Sequence, residues 1–230
     1  MGHPIEVEKG IKVSVEDIGI GKPIVFIHDW PVSQKMYQYD INGLFKKGYR
    51  FIGIGLRDDE KSDRPWSICD YDRIADYVRK VIDNLDLEDI SLSGFSMGSV
   101  ISMHYMTKHH GHKVSKLMLC GLATQQSDYL YGIRKQQVDE PIQATQENRL
   151  SMPANYGKIF FENEVDKEFS EWFHQFGVEA SFDAMIKTAD GLQNESLCGY
   201  IGQIHVPTVI LHGKRMELAR LVLSKNDQLY

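Results

Sequence analysis

The stretch "SLSGFSMGS" (residues 91–99) places Gly94, Ser96 and Gly98 in the pattern G-x-S-x-G. "ISLSGF" (90–95) reads as a buried strand that ends at this serine, and "MGSVISMHYMTKHH" (97–110) continues as a helix. Glycines on either side of a serine at a strand-to-helix junction allow a tight turn that lifts the hydroxyl clear of the sheet, beside the N-terminus of a helix. There the helix dipole and free backbone N–H groups favour negative charge. Ser96 is therefore the candidate nucleophile. A serine hydroxyl attacks poorly at neutral pH unless a base takes its proton, so the sequence must also supply that base.

Outward from this turn, the chain alternates strand and helix. "PIVFIH" (23–28) is a continuous apolar run of the kind covered on both faces of a parallel sheet. A helix is predicted over 33–47, then the strand "RFIGIGL". An amphipathic helix over 70–87 carries Ile74, Val78, Val81, Ile82 and Leu85 on one face. The helix after Ser96 is predicted to stop at Gly111, and "VSKLMLCG" and "VPTVILHG" (206–213) read as further strands. The two segments "PIEVEKG" and "IKVSVEDIG", joined at Lys9-Gly10, predict an opening hairpin. Between Ala123 and Gln203 the strand rhythm gives way to aromatic-rich, helix-favouring sequence with Tyr129, Tyr156, Phe160, Phe161, Trp172, Phe173 and Phe176. The expected organisation is an α/β core over 1–122, a helical cap inserted at 123–203, and a return to the core over 204–230.

Composition narrows the function. The 230 residues are 42% hydrophobic with a formal net charge of -6 and no basic cluster, which argues against a nucleic-acid partner. The N-terminus lacks a basic segment followed by an apolar run, and no apolar stretch is long enough to cross a bilayer, so the expectation is a cytoplasmic protein with no membrane partner. Three separated cysteines, Cys69, Cys120 and Cys198, suggest neither a disulfide framework nor a zinc ribbon. His109, His110 and His112 cluster at a predicted helix end, where cationic side chains are favourable. No neighbouring carboxylate or cysteine in the sequence completes a ligand set, and no metal or other cofactor is expected.

Four segments, "VFIHDWP", "RFIGIGLRDDEKSDRPW", "LSGFSMGS" and "IHVPTVILHGK", together resemble the α/β-hydrolase superfamily, in particular its esterases and cofactor-free haloperoxidase-like enzymes. The resemblance runs from about Pro23 to Lys214. It implies an α/β-hydrolase fold with Ser96 as nucleophile and the backbone N–H groups of Trp30 and Met97 as an oxyanion hole. It also suggests that Trp30 precedes a cis proline. Departures from the family pattern are informative. Asp29 replaces the glycine after His28, which brings a carboxylate to a place meant to stabilise negative charge. Asp58 and Glu60 replace two further glycines, and Gly55 stands where the family has an acid.

In the family the acid and histidine follow the nucleophile in chain order. Met216 occupies the expected acid position, with Glu217 adjacent and Asp227 further along. All nine histidines lie at or before position 212. His28 and His212 fall at strand ends where the family's histidines are structural, His174 lies in the cap, and His104 is eight residues beyond Ser96, about 12 Å of helical rise away. The last strand and helix of the fold are expected to be missing, which would leave "PTVILHG" as an exposed sheet edge open to self-association. The chain reads as ancestrally a carboxylesterase-type serine hydrolase of small apolar esters, weak or inactive as it stands. The alternative is a non-catalytic small-molecule-binding or interaction protein on the same fold.

Overall fold

The computed structural model describes residues 2–56, 70–122, 142–144, 146–149, 152–161, 165–180, 186–188, 190–191, 197 and 199–213. Seven strands form one sheet: β1 (His3–Glu8), β2 (Ile11–Ile18), β3 (Lys22–Ile27), β4 (Tyr49–Ile54), β5 (Ile90–Phe95), β6 (Val114–Cys120) and β7 (Thr208–Leu211). Their spatial order is β1-β2-β4-β3-β5-β6-β7. The hairpin β1–β2 and the pair β2–β4 are antiparallel, and every other pair is parallel. This is an α/β-hydrolase fold.

The predicted helices are present with adjusted ends. Residues 33–47 divide into a 3₁₀ turn (Gln34–Tyr37) and α1 (Gln38–Lys46). The amphipathic helix is α2 (Tyr71–Asn84), capped by the Asp70 carboxylate, which accepts from Arg73 N–H at 2.7 Å. After Ser96 comes α3 (Met97–Lys108), which ends sooner than expected. His110 rather than Gly111 takes the left-handed position immediately beyond the helix (φ 52°), and Gly111 N–H donates to Met106 O at 3.0 Å to close a Schellman turn. Within the expected cap lie α4 (Met152–Phe160) and α5 (Lys167–Glu179), the latter capped by Asp166.

Strand alternation explains why both sheet faces are covered. Ile24, Phe26 and Phe51 point to one face and pack with Tyr37 and α1. Val25, Ile27, Ile52, Ile54, Ile90 and Leu92 join the larger core with α2 and α3. The opening hairpin is pinned to α2 where Glu8 pairs with Arg73 and accepts from Tyr77 O–H at 2.8 Å. At the other end, among the described residues β7 is the outermost strand, and Val209 and Leu211 are about half exposed (48% and 52%). No helix among the described residues is long and apolar enough to cross a membrane.

Register positions the functional end of the sheet. Ile27 of β3 is level with Ile54 of β4 on one side and with Gly94 of β5 on the other. The chain leaves β3 for β4 and returns to β5 across β3, so the loop after β3 and the turn after β5 meet at a topological switch point. In open α/β sheets this is where ligands bind.

Candidate active site

Ser96 is the single residue between β5 and α3, at φ 50° and ψ -111°, a left-handed backbone rarely tolerated by a residue with a side chain. Its N–H donates to Cys120 O at 2.7 Å, and its carbonyl accepts the first bonds of α3 from Ser99 and Val100. The flanking glycines are required by packing. A Cβ on Gly94 would overlap the backbone of Gly98, and one on Gly98 would overlap Ile27 O and come within 2.9 Å of His28 O. The G-x-S-x-G spacing lets α3 start in direct contact with β3 and β5, which sets the serine at the switch point.

The loop after β3 supplies the second wall. His28 is fully buried, and both of its ring nitrogens are committed. Leu56 N–H donates to Nε2 at 3.1 Å, so that nitrogen carries no proton, and Nδ1–H donates to Asp29 O at 2.7 Å. His28 is thus a strut between the ends of β3 and β4, with no free nitrogen to offer Ser96. The Trp30–Pro31 peptide is cis, as the resemblance implied.

Asp29 departs most from what its place in the sequence suggests. Its side chain is 2% exposed and turns into the space in front of Ser96. Met97 N–H donates to Oδ1 at 3.3 Å, and Tyr156 O–H reaches from α4 to donate to Oδ2 at 3.1 Å. The Trp30 N–H and the Ser96 hydroxyl also bond to this carboxylate. Burial nevertheless outweighs these donors and raises the Asp29 pKa from 3.8 to about 6. The two N–H groups expected to form an oxyanion hole, those of Trp30 and Met97, therefore both point at one carboxylate of the chain itself. Sequence reading flagged Asp29 as a charge near the site, but not as the group occupying it.

An aromatic wall stands over this centre. Trp30 meets Tyr156 edge-on at 5.7 Å between ring centroids, Tyr156 contacts Phe160, and Phe160 contacts Phe95. Further out, Phe161, Phe169, Trp172, Phe173 and Phe176 pack on one another. The cap aromatics thus divide between facing the candidate site and forming a core between α4 and α5. Lys35 of the core bridges to Glu179 of α5 at 2.8 Å.

His104, His109 and His112 point elsewhere. His104 is 4% exposed and bonds through Nδ1 to Asp72 of α2 at 2.8 Å, while His109 and His112 face Asp76 and Asp83 separately at ion-pair distance. Burial lowers the His109 pKa. Among the described residues no three His, Cys, Asp or Glu side chains converge as a metal site would require. Cys120 is a half-buried free thiol. Asp58, Glu60, Cys69, Tyr129, Cys198, Met216, Glu217 and Asp227 lie outside the described residues.

A mostly parallel sheet with a serine at a left-handed strand-to-helix turn, facing two converging N–H groups at the switch point, defines the α/β-hydrolase class. A sequence model of the alpha/beta hydrolase fold family matches residues 22–215, and the chain belongs to that family. It is 43% identical over 229 residues to the AB hydrolase superfamily protein YisY of Bacillus subtilis, covering 98% of this chain and 85% of that protein. The non-heme haloperoxidase of Rhodococcus erythropolis is 26% identical, covering 89% of this chain and 78% of the relative. The solved esterase EaEST of Exiguobacterium antarcticum superposes with a TM-score of 0.91 at 40% identity, over 95% of this chain and 83% of that one.

Proposed function

We propose that the chain is a carboxylesterase-type serine hydrolase of small apolar esters, with Ser96 as nucleophile and the N–H groups of Trp30 and Met97 as its oxyanion hole. The observation that carries this reading is the convergence of both N–H groups on a carboxylate beside the Ser96 hydroxyl. A carboxylate held there is a stand-in for the oxyanion that develops when a serine adds to an ester carbonyl. The aromatic wall of Trp30, Tyr156 and Phe160 suits an apolar acyl group. A relative described as an esterase, 40% identical over most of both chains, supports the same chemistry.

The reaction is slow for two reasons. Asp29 keeps both donors engaged, and losing even one such donor costs an acyl-transfer enzyme about 10²–10³ in kcat. Among the described residues no histidine is bonded to Ser96: His28 is spent as a strut and His104 is turned to Asp72. Hydrolysis of p-nitrophenyl acetate by the wild-type chain and by Ser96→Ala tests the assignment. Slow turnover with an acetyl group on Ser96 by mass spectrometry, and loss of both in the variant, is the expected result. Turnover that survives Ser96→Ala removes the serine from the chemistry. The filled site also favours a second reading, a binder without turnover. Ligand-induced thermal stabilisation that persists in Ser96→Ala, with no acyl-enzyme formed, would select it.

A further inference from the structure

We propose that Asp29 is a proton-gated occupant of the oxyanion site: ionised, it excludes a tetrahedral anion on Ser96, and neutral, it admits one. This rests on the assignment of Ser96 and the Trp30 and Met97 N–H groups above. The geometry makes the competition direct, because the Met97 and Trp30 N–H groups that would hold an incoming oxyanion are already bonded to the Asp29 carboxylate, Met97 through Oδ1. Two negative charges cannot share that space in a medium of low dielectric.

The surroundings make the occupant titratable under mild conditions. The groups facing Asp29 are the phenol of Tyr156 from α4, the hydroxyl of Ser96, the N–H groups of Met97 and Trp30, and the phenol of Tyr37 from the 3₁₀ turn. Burial pushes both phenols above their ordinary range, the Asp29 charge adding to the rise, so they stay neutral donors. The neighbouring His28 has both nitrogens engaged. No cation acts on Asp29 among the described residues, so its four hydrogen bonds alone oppose desolvation and the carboxyl protonates at about pH 6. Protonation also weakens the hold of the site on the side chain, since hydrogen bonds to an ionised group are roughly twice as strong as neutral ones.

Phenylboronic acid is the probe. Its boron accepts Ser96 Oγ, an O–B bond forms, and the hydroxyl proton passes to water. The product is a tetrahedral boronate anion, and no oxidant or leaving group is involved. Dissociation constants are measured by calorimetry from pH 5 to 8 on the full chain, on Asp29→Gly, Asp29→Asn and Ser96→Ala, and on Ser96→Ala combined with Asp29→Gly. If only the neutral form admits the anion, wild-type affinity is reduced by the neutral fraction. With a midpoint near pH 6, Asp29→Gly then binds about 100-fold more tightly than wild type at pH 8, about tenfold at pH 7 and about equally at pH 5. In Asp29→Asn a neutral occupant of the same size remains, and the ratio to Asp29→Gly stays constant with pH. A wild-type to Asp29→Gly ratio that is flat in pH overturns the gating. Weaker binding by Asp29→Gly at pH 8 also overturns it, and would make Asp29 an assisting base. Binding that survives the double variant instead defeats the Ser96 assignment, a failure distinct from either.

Discussion

Replacing Asp29 by Asn should make the protein's relative stability depend on pH, and the size follows from the carboxyl's position. In the folded chain its pKa is about 6, against an ordinary 3.8. The folded state therefore binds the proton more tightly than the unfolded state, and stability from this group falls as pH rises from about 4 to about 6. Above that window the cost is complete: the difference between 3.8 and 6, at ~1.4 kcal/mol per pH unit, is about 3 kcal/mol. At pH 4.5 the same linkage leaves about 1 kcal/mol. Asn keeps the volume without the charge. Its poorer match to four donors is a loss that does not vary with pH, so it cancels between the two conditions. Urea unfolding followed by tryptophan fluorescence should show the variant gaining about 2 kcal/mol on wild type between pH 4.5 and pH 8. A difference that is flat over this range, or one that shifts toward wild type as pH rises, would refute the claim that burial dominates at Asp29.

Two further outcomes test the scaffold around the site. Gly98→Ala should destabilise by about 3 kcal/mol or more in urea, the upper part of the overpacking range, because the added methyl meets the carbonyls of Ile27 and His28 and not a side chain that can rotate away. A cost below 1 kcal/mol would mean that α3 can slide off β3. His28→Leu should cost about 3 kcal/mol in the same assay by stranding Leu56 N–H and Asp29 O in the interior, and unchanged stability would dismiss the strut.

The layers and most elements of the fold were legible in the sequence because they rest on local signals: apolar runs for β3 and β5, a one-sided stripe for α2, and glycines at the turn around Ser96. The finer ends were not. Where α3 stops depends on His110 accepting a left-handed backbone, and the division of 33–47 depends on Tyr37 turning inward to donate to Ile27 O at 3.1 Å. His28 reads as structural from its place at a strand end, and His104 as out of reach of Ser96 from its helical spacing; the first is bonded to Leu56 N–H and the second to Asp72. What could not be read was the destination of the Asp29 side chain. Its place is decided by Met97 and by Tyr156, 127 residues away in sequence, and no periodicity or spacing encodes that meeting.

The helix that carries Ser96 has a consequence for motion. From Met97 to Met106 every residue of α3 is buried, and the hydroxyls of Ser99 and Ser102 are satisfied by Gly94 O and Gly98 O at 2.8 Å. A helix with no wet face cannot fray sideways, so its amides should exchange with deuterated solvent only when the whole domain opens. Ser96 is thus mounted at the start of a helix whose amides are expected to exchange slowly. Any breathing that lets a ligand in must come from the partners that reach over it, above all Tyr156.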